Sequence, residues 1–298
     1  MSDTTAPRTG HAIALMVLAM CLMASMDATS KWLVEDLAIP QILLVRFAIF
    51  LIVALALAGR RGFARTIRSE RPGLQIIRSI VMLAEITVFI WAFSLLPLAD
   101  VHAIAAISPL MATALAVPLL REKVGWHRWS AVVIGFIGVL IVVRPGMDGF
   151  HPGSILALIG VLFLACRDLS SRLIPAELSS STVTAYAFFA SIIAGGIALP
   201  FFDPLIWPEP AHWPLLIACV LNGGIAYFFI VLATRVGDVA VIAPFRYSRL
   251  LFALLIAVTV LNEYPDWQTL FGAAIIIGSG LYTFWRENLR REPPAQTT

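Results

Sequence analysis

The segment Asp238-Val-Ala-Val-Ile-Ala-Pro-Phe-Arg-Tyr-Ser-Arg-Leu-Leu-Phe-Ala-Leu-Leu255 opens an apolar run that continues to Leu261. Arg246 and Arg249 are three residues apart and would share one helix face, with Tyr247 beside them and Pro244 loosening the backbone just before. If the segment spans a bilayer, each guanidinium near mid-depth costs about 2.5–3.5 kcal/mol unless it meets a polar cavity or an anion. Two such groups therefore ask for a function.

The composition agrees with a membrane setting. The 298 residues are 60% hydrophobic and 13% charged, with mean hydropathy +0.90, far from the soluble average of roughly 45–50% apolar and 25% charged. An all-α polytopic membrane protein is expected, with ten spans at 12–32, 41–58, 74–95, 99–120, 128–144, 153–173, 183–201, 212–234, 238–261 and 267–285. Short tails, 1–11 and 287–298, flank them. The first run lacks a small-residue cleavage motif at the end of its apolar core and is read as retained. Cys21, Cys166 and Cys219 lie scattered in apolar runs and read as packing residues.

An N-terminus on the cytoplasmic side would place fourteen Lys and Arg inside: Arg8, Arg60, Arg61, Arg65, Arg68, Arg71, Arg121, Lys123, Arg128, Arg172, Arg235, Arg286, Arg290 and Arg291. The external loops would then hold Arg144. That bias predicts cytoplasmic termini in a bacterial inner membrane. It also explains the net charge of +3 through the lipid headgroups, with no nucleic-acid partner.

The chain is written twice. A constant shift of 141 residues superposes Asp27-Ala-Thr-Ser-Lys31 on Asp168-Leu-Ser-Ser-Arg172, Glu122 on Glu263 and Trp126 on Trp267. Five spans per half, over 12–145 and 152–286, make the second copy run upside down relative to the first. Such inverted repeats put a substrate site near mid-membrane between the halves.

On these residues the chain resembles the drug/metabolite transporter superfamily, in its ten-helix members with two EamA-type repeats. Ser108-Pro109-Leu110, Arg121-Glu122 and Gly135-Phe-Ile-Gly138 carry the likeness in the first half. Leu261-Asn-Glu263, Gly272-Ala-Ala and Gly278-Ser-Gly280 carry it in the second. The second half departs by having Arg249-Leu250 where the first has Ser108-Pro109. Ala243-Pro-Phe-Arg-Tyr247 with Asn262-Glu-Tyr-Pro-Asp266 is similar to uptake members for riboflavin or S-adenosylmethionine. The resemblance implies a secondary transporter, with a flavin first, S-adenosylmethionine second, and export of amino acids or metallophores third. The arginine pair disfavours a cationic sulfonium unless Glu85 or Asp168 meets it.

Substrate contacts are expected from Arg246, Arg249, Tyr247, Tyr227, Arg46, Trp91 and Arg167, which combine deep cations with aromatic faces. Proton coupling is expected from Glu85, Asp168 or Asp27. Glu85 lies seven residues after Arg78 on one face, and pairing with Arg46 or Arg246 is its alternative role. Asp27–Lys31 and Asp168–Arg172 have the spacing of intrahelical ion pairs, while Lys31, Asp100 and Asp238 sit near helix ends and can snorkel. Glu122 and Glu263 read as helix-end caps. The glycines read as packing seams, and since such seams also support dimers, a second copy of the chain is a candidate partner.

No GxxxxGK[ST] loop argues for direct ATP coupling, and the histidines, His102 among them, are dispersed, so neither a cofactor nor a metal is expected. An embedded lipid enzyme would need paired acidic motifs such as DDxxD or a convergent His, Cys or Ser set, which the sequence lacks. A non-transporting receptor would show no substrate-dependent flux.

Overall fold

The computed structural model describes residues 6–58, residues 72–172 apart from Lys123 and Asp148, residues 189, 192, 193 and 196, and residues 206–290. The arginine run over 60–71 and nearly all of the span expected at 183–201 lie outside the described residues. Regular structure among the described residues is helical, with no strand. In an apolar medium this follows from the backbone, because a helix satisfies its own N–H and C=O groups.

The helices are α1 (Ala6–Asp36), α2 (Ile39–Ala58), α3 (Pro72–Leu95), α4 (Leu98–Ala105), α5 (Ser108–Leu120), α6 (Trp126–Val143), α7 (Gly153–Arg172), α8 (His212–Val236), α9 (Val239–Ile242), α10 (Ser248–Thr259) and α11 (Trp267–Arg290). Among the described residues, six segments are long and apolar enough to cross a membrane, including α4 and α5 taken together.

Two of the expected spans are interrupted. Between α4 and α5 the chain tightens at Ala106–Ile107, where Ile107 N–H donates to Ile104 O (3.2 Å), and Pro109 follows in the first turn of α5. Between α9 and α10 a 3-10 turn, Ala243–Tyr247, contains Pro244. Proline supplies no N–H, so both breaks fall where the ladder is already short of donors. Tyr247–Ser248 stands 141 residues beyond Ala106–Ile107.

The ends of α5 and α10 match in the same way. Arg121 and Asn262 both take left-handed backbone, φ 55° each. The following amides turn back, Glu122 N–H to Ala116 O (3.3 Å) and Glu263 N–H to Ala257 O (2.8 Å). In both, the donor lies six residues beyond its acceptor and directly after the left-handed residue, so the two helices stop alike at both positions of the 141-residue offset.

Helix packing follows the same exchange. α1 lies along α8, and α7, its counterpart by the offset, lies along α3, the counterpart of α8; α1 also packs on α10 as α7 packs on α4 and α5. α6 and α11, counterparts of each other, pack together. At their crossing a Cβ on Gly138 would lie 2.9 Å from Gly272 O, and one on Gly272 2.6 Å from Gly138 O. The two backbones touch, so this glycine seam is used within the chain. The main core joins Ala24, Phe93, Leu98, Ile104, Val139, Val161, Leu250 and Ile276, with many alanines that let the helices approach closely.

Candidate functional site

The first helix of each half carries an acid, Asp27 on α1 and Asp168 on α7, and Asp27 is met by side chains from other helices. Asp27, 5% exposed on α1, receives Arg249 of α10 through Nε (3.1 Å) and Nη2 (2.5 Å), both on Oδ2. His102 of α4 brings Nε2 to 3.2 Å from the same oxygen, without an aligned hydrogen bond, and its ring lies 5.7 Å from that of Phe93. The expected Asp27–Lys31 pair is therefore absent. An i, i+4 spacing only permits such a pair, and here Arg249 offers a fork where Lys31 offers a single point charge.

Glu85 of α3, equally buried, meets Arg167 of α7: Nη1 is 2.7 Å from Oε2. Arg167 also donates through Nη2 to Asp168 Oδ1 at 3.2 Å. Glu85 thus pairs with neither Arg46 nor Arg246. Arg78 and Tyr227 lie within electrostatic reach of Arg167, and Arg249 within reach of Glu85, so the two acid–arginine groups form one mid-depth layer. In both inter-half pairs the acid, Asp27 or Glu85, precedes residue 145 and the arginine follows residue 152.

The arginines that opened the sequence reading part company. Arg249 turns inward to Asp27, whereas Arg246, in the 3-10 turn, is exposed. Tyr247 is buried with its ring against Gly280 of α11, where a side chain would collide with the phenol, and its hydroxyl has no hydrogen-bond partner. Packing is the contact the structure gives it. Tyr227 is 45% exposed and Trp91 48% exposed. Arg46 is buried on α2 beside the rings of Phe47 and Phe50. The side chain of Arg172, the expected partner of Asp168, lies outside the described residues.

A second polar group gathers at the end of the bundle where α1 finishes and α4 and α11 begin. Glu263 ion-pairs with Lys31 and accepts the Leu98 N–H (2.7 Å), capping α4 from the loop between α10 and α11; Lys31 also donates to Leu96 O (2.6 Å). Arg144 pairs with Asp266, Thr269 donates to Asp100 Oδ1 (2.8 Å), and His212 contacts Asp36 (3.1 Å). Lys31 and Asp100 are thus tied into contacts between the halves rather than extended to the headgroups. Asp266, in the loop before α11, loses hydration, which favours the neutral acid, but hydrogen bonds from Arg144 and Thr269 outweigh this and hold its carboxyl below the usual range. At the opposite end Arg286 donates to His127 (2.7 Å), while Arg121, Glu122 and Arg235 are exposed.

Sequence reasoning missed His102 and the cross-half use of Lys31 and Glu263. The available signal was a histidine four residues into an apolar span, too far from a helix end to reach water.

The comparisons with known proteins agree with this architecture. The chain is 26% identical over 277 residues to an S-adenosylmethionine uptake transporter of Rickettsia conorii, covering 92% of each chain. It is 28% identical over 285 residues to a riboflavin transporter of Vibrio cholerae, covering 93% of this chain and 94% of the other. A solved crystal structure, 20% identical, shares the fold with a TM-score of 0.66 over 94% of this chain and 99% of that one. The model of the EamA-like transporter family matches twice, at residues 10–144 and 151–285. A duplicated match across nearly the whole chain, on a helical bundle with buried acid–arginine pairs at its middle, shows that this chain belongs to the EamA-like transporter family.

Proposed function

We propose that this chain is a secondary transporter, not an enzyme, that carries a small metabolite across the bacterial inner membrane by alternating access. Its two halves, 12–145 and 152–286, each supply five spans in opposite orientation, and both termini face the cytoplasm. The observation that carries this reading is the mid-depth layer, where Asp27 and Glu85 meet Arg249 and Arg167 from the other half. Charges in that position are costly on lipid-facing helices and serviceable around a polar cavity. In this reading the polar end group, with Lys31–Glu263 at its centre, is the closure on the outer side.

Uptake of S-adenosylmethionine is the substrate reading the geometry supports best. The flavin expectation rested partly on two convergent arginines repelling a sulfonium; Arg246 is exposed and Arg249 is already matched by Asp27, which removes that objection. Glu85 and Asp168 share Arg167 in this conformer and would face a cation by exchanging that partner for it, and Glu85 remains the residue proposed to couple a proton. The relatives named for S-adenosylmethionine uptake support this order. Riboflavin is the second reading, favoured by the exposed Tyr227 ring near Arg78 and Arg167, a surface on which a flat heterocycle could stack.

The deciding experiment is flux into proteoliposomes containing the purified chain, with S-adenosylmethionine, riboflavin and amino acids side by side. Saturable, substrate-dependent uptake of the first is expected. Absence of flux with all three would refute the transporter reading.

A further inference from the structure

Arg46 is the buried cation that the mid-depth layer does not account for. It sits on α2, 8% exposed. Asp27 and Glu85 are answered by Arg249 and Arg167, and Arg167 also holds Asp168. Among the described residues Arg46 has no carboxylate within ion-pair distance, and its Nε, sealed from solvent, has no hydrogen-bond partner. What it has instead are two ring neighbours, with the guanidinium carbon 5.8 Å from the centroids of both Phe47 and Phe50. Rings stabilise the positive charge but accept no in-plane hydrogen bonds, so the fork of N–H donors is left for another acceptor.

The helix opposite, α8, passes with glycine at 223 and 224, and a Cβ at Gly223 would stand in ordinary contact, 3.8 Å, with Arg46 Nη2. Met26, the neighbour of Asp27 on α1, reaches the same spot: its Sδ would lie 2.7 Å from a Cβ at Gly223. Arg46 thus lies just across Met26 from the turn of α1 that bears the Asp27 carboxyl. One planar anion on Arg46 would give this cation the kind of partner that Arg249 and Arg167 already have.

We propose that Arg46 is the substrate-binding residue that receives a carboxylate, and that the transported molecule is a zwitterion bearing an α-amino-acid group. This rests on the transporter reading above and narrows its substrate class. A planar guanidinium matches a carboxylate with two parallel hydrogen bonds, and a neutral ligand would leave those donors empty.

The test uses the full chain in proteoliposomes and compares S-adenosylmethionine with its decarboxylated analogue, which keeps the sulfonium, the amine and the nucleoside. Wild-type protein is expected to favour the carboxylate-bearing form at least about tenfold in apparent affinity. Arg46→Gln should bring that ratio close to one, with Arg46→Lys retaining part of it. A ratio unchanged in Arg46→Gln, with both ligands weakened alike, overturns the proposal. Equal affinities in wild type overturn it without any variant, which keeps the test decisive if Arg46→Gln fails to fold. Saturable uptake of riboflavin alone, which has no carboxylate, also overturns it while leaving the transporter reading intact. No uptake of any of the three by wild type overturns the transporter reading and this proposal with it.

Discussion

Among the described residues, ion pairs between acids and bases join the halves in two places, and the two differ in what surrounds them. At mid-depth, Asp27 and Glu85 are almost sealed, their side chains 7% and 8% exposed. At the clasped end, Glu263, Asp266 and Asp36 are 20%, 44% and 64% exposed. Coulomb attraction between partners is similar in kind, but removing a partner is not. A stranded charge in the sealed layer stays unsolvated, whereas one at the end finds water. The middle therefore resists separation and the end is able to part, which is the division a molecule needs if one face is to open without losing its register.

The largest effect expected from this contrast is at Arg249. Arg249→Met strands Asp27 beside His102, and a destabilisation of about 3 kcal/mol is expected, the lower end of the range for breaking a buried pair because His102 remains. Thermal unfolding in detergent measures it; a variant as stable as wild type would erase the distinction between the two regions. Adding Asp27→Leu to Arg249→Met should return most of the stability while uptake stays lost, since two apolar groups leave nothing stranded.

Next in size is Glu263→Gln. The amide still accepts the Leu98 N–H but no longer neutralises Lys31, so opening of the clasped end should become roughly tenfold more frequent, about 1.4 kcal/mol. The readout is the modification rate of Ala99→Cys, at a position fully buried in α4, in a chain whose three native cysteines are replaced. An unchanged rate would mean that the closure does not depend on this pair.

Asp266→Asn should matter less. Its pair with Arg144 is open to solvent on one side, and such pairs contribute about 0–1 kcal/mol, so the Ala99→Cys rate should rise no more than about threefold. A larger rise than that of Glu263→Gln would reverse the ranking.

The smallest expected response is to pH through Asp266. Its carboxyl is held below the usual range, so its contribution to closure is complete above the ordinary carboxylate value and is lost only as pH falls through the lowered one. Between about pH 8 and about pH 6 the Asp266→Asn and wild-type rates should therefore keep a constant ratio, since an ordinary aspartate titrates near 3.9. A ratio that drifts in that window would assign the closure to a group other than Asp266.

The features legible in the sequence were those with a local signature. The 141-residue offset was visible and Pro244 marked a looser backbone, yet the spans 99–120 and 238–261 were drawn unbroken, and the breaks at 106–107 and 243–247 appear only in the structure. The burial of Glu85 and Arg46 was legible from their position within apolar runs, whereas Arg246, expected at a similar depth, is exposed. Partner choice was not legible. Spacing sees only neighbours on one helix, so Asp27 was matched with Lys31, whereas the structure matches Asp27 with Arg249 and Lys31 with Glu263. His102 was set aside because it had no histidine or cysteine nearby in the chain, although its companion was an aspartate on another helix. Arg246 and Arg249 were given one face on the assumption of an unbroken helix, and the 3-10 turn separates them.

The glycine contact between α6 and α11 has a consequence for how motion can be followed. Two backbones already touching at Gly138 and Gly272 cannot draw nearer, and the surrounding side chains gain nothing by letting them drift apart. That crossing is a fixed origin inside the molecule, against which displacement of every other helix can be gauged with a pair of spectroscopic labels.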